Sequence, residues 1–167
     1  MGKHIVRPAR MEEAAALAEI KSRYVKALFR GFLSAEYLKG LHETYFLPEV
    51  RRWLEGEYQV DVLEIDGKAE GFVTYGQDPD DASRGFILEV GIMPSGSWLE
   101  KDILMRSCMD KLAEKYEIAR VQTVKDNFRA RFLFEQFGFR SDGTQRLVTI
   151  DGTDLRIIRL ICRLPQK

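Results

Sequence analysis

The chain has 167 residues, 45% of them hydrophobic, and its 26 basic and 26 acidic residues balance. A chain of this length buries about 70% of its unfolded surface, enough for one domain over 1–167 without disulfide or metal staples. Zero net charge, with no basic run longer than Arg51-Arg52, argues against a nucleic-acid binder, which needs excess cations to neutralise phosphates.

His4 to Arg7 alternates and is closed by Pro8, which predicts a first strand. From Met11 to Arg30, residues Ala14, Leu17, Ala18, Lys21, Tyr24, Val25, Leu28 and Phe29 fall at helical spacing. Glu12 and Glu13 stand in the first turn, where the helix dipole favours carboxylates, and Gly31 ends the helix. Ser34 to Leu41 reads as a short helix capped by Ser34, and Glu49 to Leu54 as a third. Tyr58 to Ile65 and Ala69 to Tyr75 flank Asp66-Gly67, a hairpin signal. An acidic loop, Asp78-Pro79-Asp80-Asp81, leads to an apolar strand from Phe86 to Met93 that Pro94 stops. Ile103, Leu104, Cys108, Met109 and Leu112 trace one face of a long helix. Val121 to Val124 is a strand, and Phe128 to Phe137 a helix ended by Gly138. Leu147 to Ile150 and Leu155 to Leu164 surround Asp151-Gly152, a second hairpin. The order β, α, α, β, β, β, α, β, α, β, β predicts an α+β domain with a mixed sheet.

Met1 to Val6 lacks the apolar core of a signal peptide, and no apolar run reaches membrane-spanning length. Cys108 and Cys162 sit in apolar patterns and read as reduced core residues. A soluble cytoplasmic protein with no membrane partner is therefore expected. His4 and His42 have no ligand-like neighbours, and the Asp78 to Asp81 cluster lacks the glycine and terminal glutamate of a calcium loop, so no metal is expected.

Several phrases, in order, resemble the GNAT superfamily of acyl-CoA-dependent N-acetyltransferases. They are Ile5-Val6-Arg7-Pro8-Ala9, Arg30-Gly31-Phe32-Leu33, and the closing run from Asp142-Gly143-Thr144 to Arg163. The best of them is Asp126-Asn127-Phe128-Arg129-Ala130 followed by Phe134-Glu135-Gln136-Phe137-Gly138-Phe139, at the place of the family phrase N-x-x-A-x-x-F-Y-x-x-x-G-F. The likeness covers nearly the whole chain. It implies a mostly antiparallel mixed sheet flanked by helices, acetyl-CoA as acyl donor, and a small-molecule amine or peptide as acceptor; the fold also admits a homodimer.

The resemblance places the CoA site on Ile92, Ser95, Gly96, Ser97, Lys101, Asn127 and Phe134. A backbone N–H near Ile92 would hold the oxyanion, and the loop from Ser95 would wrap the pyrophosphate at a helix N-terminus. That loop departs from the family's Q/R-x-x-G-x-G/A, since only Gly96 remains as a glycine. Glu100 and Asp102 at the helix start would repel a diphosphate, with Lys101 the one compensating charge, so the segment reads equally as an ordinary capped helix. Phe134 stands where the family usually has a tyrosine that protonates the departing thiolate; its plainer reading is a core aromatic. Asn127 is a catalytic and pantetheine-side candidate, and also a good helix N-cap.

Glu89, a lone carboxylate in Phe86-Ile87-Leu88-Glu89-Val90, is the candidate general base if it faces the cleft. Its alternative reading is a solvent-facing strand residue. Tyr24, Phe29 and Tyr75 are candidates for an acceptor pocket, against a plain core role. The function implied is acyl transfer to an amine. The alternatives are a GNAT-fold binding or regulatory module that has lost acetyl-CoA binding, or a fold that accepts a different acyl donor or none, with Trp98 filling the vacated cleft.

Overall fold

The computed structural model describes residues 2–166. Seven strands form one sheet in the order β1 (His4–Pro8), β2 (Gln59–Ile65), β3 (Lys68–Asp78), β4 (Asp81–Ile92), β5 (Ile118–Val124), β7 (Thr153–Arg163), β6 (Arg140–Ile150). Every neighbouring pair is antiparallel except β4 and β5. Helices α1 (Ala14–Phe29), α2 (Ala35–Lys39) and α3 (Glu43–Arg52) follow β1, α4 (Trp98–Ala113) joins β4 to β5, and α5 (Phe128–Gln136) joins β5 to β6. No helix among the described residues is long and apolar enough to cross a membrane.

Local chemistry accounts for many of the boundaries. Asp66-Gly67 and Asp151-Gly152 all take positive φ, the conformation a two-residue hairpin turn requires of both central residues. Ser34 caps α2 by accepting from the Tyr37 N–H at 3.1 Å. The third helix begins at Glu43, six residues before the expected Glu49. Pro48 inside it removes one backbone donor, which buried Phe46 and Val50 outweigh by anchoring the helix to the core. The acidic segment is not a loop. β3 runs to Asp78 and β4 starts at Asp81, leaving a two-residue turn.

The reason lies across the sheet. Asp78 is fully buried and takes two hydrogen bonds from Arg120 on β5, Nε to Oδ2 at 2.7 Å and Nη2 to Oδ1 at 2.9 Å. Arg84 adds a third cationic contact at 3.2 Å, and the Arg120 guanidinium lies 4.3 Å from the Phe86 ring centre. This fork-on-carboxylate pair ties the β3–β4 hairpin to β5.

Two apolar clusters sandwich the sheet. Leu104, Met105 and Cys108 of α4 with Leu133 and Phe134 of α5 pack on Val73, Ile87, Val121 and Leu160. On the other face Leu17 and Ala18 of α1, Val50 of α3 and Trp53 pack on Val62 and Phe72. Cys108 and Cys162 are buried and unbridged. Burial pushes the Cys108 thiol far above its ordinary range, so it stays an inert core residue.

Candidate active site

β4 and β5 are paired only from Gly85 to Ile87 opposite Ala119 to Val121. Beyond that the strands part, leaving β4 from Leu88 to Ile92 bonded on one edge alone. The Met93 N–H donates to the Glu70 carbonyl at 3.0 Å on β3. Antiparallel pairs alternate in direction, so Glu89 and Gly91 also turn their backbone groups to β3. The N–H and C=O of Val90 and Ile92 therefore point into the gap.

A bulge sets the side chains. Thr74 faces Glu89 while Tyr75 faces Ile87, so Leu88 is an extra residue in β4. It turns both Leu88 and Glu89 toward α1. Glu89 is thus neither a solvent residue nor a member of the α4-side core. Lys21 Nζ donates to Glu89 Oε1 at 2.5 Å and also to Glu49 of α3. The other oxygen, Glu89 Oε2, is buried with no hydrogen-bond partner, as are Thr74 Oγ1 and the Tyr24 hydroxyl. Burial raises the Glu89 carboxyl above the ordinary carboxylate range, and the Lys21 cation pulls it partly back.

Tyr24, one turn beyond Lys21, covers Gly91. A Cβ on Gly91 would come 2.5 Å from Tyr24 Cε1 and 2.7 Å from Phe72 Cε1, so only glycine lets the ring lie there. Phe29 ends α1, about 12 Å further along the helix axis than Lys21, and belongs to the cluster under α1 to α3. Tyr75 lies on the opposite face of the sheet from Tyr24. Its hydroxyl donates to buried Asp61 at 2.7 Å, and Lys111 of α4 donates to the same carboxylate at 2.5 Å. The expected trio is therefore split, because consecutive strand residues point to opposite faces and sequence does not say which face holds the cleft.

At the mouth of the gap, Gly96 closes a turn by donating to the Met93 carbonyl at 2.7 Å. A Cβ there would press on Ile92 Cγ2, and would stand 2.5 Å from Glu100 Oε2 and 2.9 Å from the Met93 carbonyl. Because that carbonyl is backbone, Gly96→Ala is expected to lower stability by about 1–3 kcal/mol, checked by urea unfolding. A change near zero would mean the turn relaxes freely. Ser95 is exposed in the turn, and Ser97 caps α4, its N–H donating to Glu100 Oε2 at 2.8 Å. Asp102 is instead engaged by Arg106 at 2.7 Å, one turn further on, so Glu100 alone occupies the helix start.

Lys101 and Arg129, from the first turns of α4 and α5, have no carboxylate partner among the described residues. Partial burial, then repulsion from Arg129, lowers the Lys101 ammonium below its ordinary value. Asn127 caps α5, its Oδ1 accepting from the Ala130 N–H at 3.2 Å. Phe134 is a buried core aromatic edge-on to Phe139 at 5.9 Å. Its backbone carries the family-like phrase, but its ring packs in the core. Trp98 does not fill the cleft; it is 44% exposed and leans on Phe132 of α5 at 5.4 Å, across the mouth.

Sequence reasoning missed Lys21 and Glu49. The one signal was a cation inside the apolar stripe of α1. A separate hollow of about 500 Å³ between α1 and α2, lined by Lys26, Arg30 and Lys39, lies away from Glu89 and holds no carboxylate.

No protein-family model matches this chain, and no curated protein sequence matches it significantly. Solved structures do. The PaiA N-acetyltransferase of Thermoplasma acidophilum, in complex with coenzyme A, is 16% identical over 96% of this chain and 99% of its own, with a TM-score of 0.73. A GCN5-related N-acetyltransferase of Rhodopseudomonas palustris is 21% identical over 98% of each chain, with a TM-score of 0.74. YncA of Salmonella typhimurium, a proposed acetyltransferase solved with its cofactor acetyl-CoA, is 15% identical over 98% and 95%, with a TM-score of 0.73.

Proposed function

We propose that this chain, which has the acetyltransferase fold of the GNAT superfamily, transfers an acyl group from an acyl-CoA, acetyl-CoA in the first instance, to an amine. The observation that carries the reading is the open edge of β4, with Val90 and Ile92 backbone groups turned into the gap, beside a carboxylate whose Oε2 is unpartnered. Structural neighbours that hold coenzyme A or acetyl-CoA support the choice of donor.

The residues fit such a donor in two places. The Val90 and Ile92 edge offers peptide-like hydrogen bonds to a pantetheine arm. Lys101 and Arg129, together with the turn that Gly96 keeps open, offer cationic and backbone contacts to a diphosphate. An acyl-CoA supplies a thioester carbon that an uncharged amine can attack. Glu89 Oε2 accepts the proton that the acceptor's ammonium must lose, while Glu89 Oε1 stays on Lys21. The Ile92 N–H stabilises developing negative charge on the acyl oxygen. Asn127 fixes the start of α5 at the rim of the gap. With phenylalanine at position 134, departure of the thiolate relies on the low basicity of a thiol, whose pKa is about 8.5.

Glu100 favours the second reading, a GNAT-fold module without acyl-CoA, because its carboxylate occupies the N-terminus of α4. Calorimetric titration with acetyl-CoA separates the two. Micromolar binding that weakens with salt is the expected result, because Lys101 and Arg129 meet phosphate charge. No heat at millimolar acetyl-CoA would overturn the transfer reading. With binding in hand, thiol release across a panel of small amines and peptide amino groups identifies the acceptor class.

A further inference from the structure

Lys21 is the one lysine among the described residues that is buried, at 5% exposure. Its ammonium sits 4.9 Å from the Phe46 ring centre and 4.8 Å from that of Trp53, and it is shared by Glu89 and Glu49. A sheet-facing helix position between two aromatic rings would hold methionine or leucine at least as stably, since a buried charge must recover its desolvation cost. Packing therefore does not account for a lysine here. What the lysine alone achieves is to take one oxygen of Glu89 and leave the other free.

We propose that Lys21 is a positioning residue. It clamps Glu89 by Oε1 and keeps the carboxylate ionised, so that Oε2 can accept a proton from the acceptor amine. This deepens the transfer reading above and rests on it. Lys21 of α1 and Thr74 of β3 face Glu89, Glu49 of α3 reaches it through Lys21, and Tyr24 of α1 lies over the neighbouring Gly91. Lys21 is the only cation of the set. Without it, burial acts on Glu89 unopposed, the carboxyl holds its proton to higher pH, and a protonated acid cannot act as a base. No redox step or further reactant is involved: the ammonium proton passes to Glu89 and then to solvent.

The variant to make is Lys21→Met, whose unbranched side chain fills the slot between Phe46 and Trp53. Glu89 is followed through pH by infrared spectroscopy, as the difference between each protein and its Glu89→Gln counterpart, with no acyl donor present. The protonated-carboxyl signal is expected to persist about 1–3 pH units higher in Lys21→Met and to return to the wild-type position in Lys21→Arg. The acid limb of kcat/KM moves by the same amount, with binding of acetyl-CoA unchanged. A folded Lys21→Met protein whose Glu89 titrates as in wild type overturns the proposal. Where Lys21→Met does not fold, Glu49→Gln tests the same coupling in the other direction. Freed of its second carboxylate, Lys21 serves Glu89 alone and the Glu89 titration moves down; an unmoved titration overturns the proposal. Failure of the transfer reading registers separately, as loss of acetyl-CoA binding in the wild-type protein.

Discussion

Asp78→Ala is expected to destabilise the fold by about 3–5 kcal/mol, because it leaves the Arg120 guanidinium buried without its carboxylate. Arg120 is on the middle of β5, its side chain 6% exposed and laid over Phe86. It lies within the three residue pairs that join β4 to β5. Asp80 is 3.5 Å away but 74% exposed, so it offers only a screened substitute. In urea unfolding the midpoint should fall at unchanged slope, the mark of lost stability without a change in surface exposed. The double change Asp78→Leu with Arg120→Leu should recover most of the loss, since it removes both charges together. A loss below about 1 kcal/mol for Asp78→Ala would mean that water reaches the pair. The placement also has a functional meaning: this pair closes the shut end of the gap whose open end carries the candidate site.

Glu89→Gln should lower turnover by about 10²–10⁴-fold, the usual share of a general base. Glutamine keeps the shape and the hydrogen bond to Lys21 but has no basic oxygen. Binding of acetyl-CoA should be unaffected, because the contacts proposed for it are the Val90 and Ile92 backbone groups and the Lys101 and Arg129 charges. Turnover near that of wild type would remove Glu89 from the chemistry. The same substitution has a stability signature whose sign follows from linkage. The folded-state carboxyl is raised above its unfolded value, so between the two values the native state holds the extra proton. Glu89 therefore contributes stability that is full below the ordinary carboxylate pKa and is lost as pH rises through the raised one. In Glu89→Gln that decline should disappear from the stability–pH curve. A decline identical to wild type would assign it to another group.

The sequence was informative wherever a feature is made by residues a few positions apart. Asp66-Gly67 and Asp151-Gly152 named their hairpins because only small or flexible residues accept two consecutive positive φ values. Gly138, with φ of 93°, ends its helix for the same reason, and Ser34 and Asn127 announced their caps. The helix read from Phe128 to Phe137, one residue beyond its observed end, and the apolar run from Phe86 to Met93 were legible from their apolar content and their Gly138 and Pro94 stops, as was the order of elements that resembles the GNAT fold. Strand lengths were less legible. β6 extends seven residues before Leu147 through residues that are mostly exposed, because an edge strand can be polar on both faces.

What sequence alone determined, then, is the α+β order, the turns and caps, and that Glu89 is a lone carboxylate in an apolar strand. Tertiary structure alone decided that the bulge at Leu88 turns Glu89 toward α1, and that Lys21, 68 residues away in the chain, meets it there. It also decided that Asp78 belongs to Arg120, 42 residues on, and that Tyr75 faces Asp61 on the α4 side of the sheet. Turns and caps are satisfied by groups within a few bonds of one another, so their energetics are written locally. A buried charge is satisfied by whichever partner the packed sheet delivers, and which face a strand residue takes depends on a register shift that no local pattern encodes.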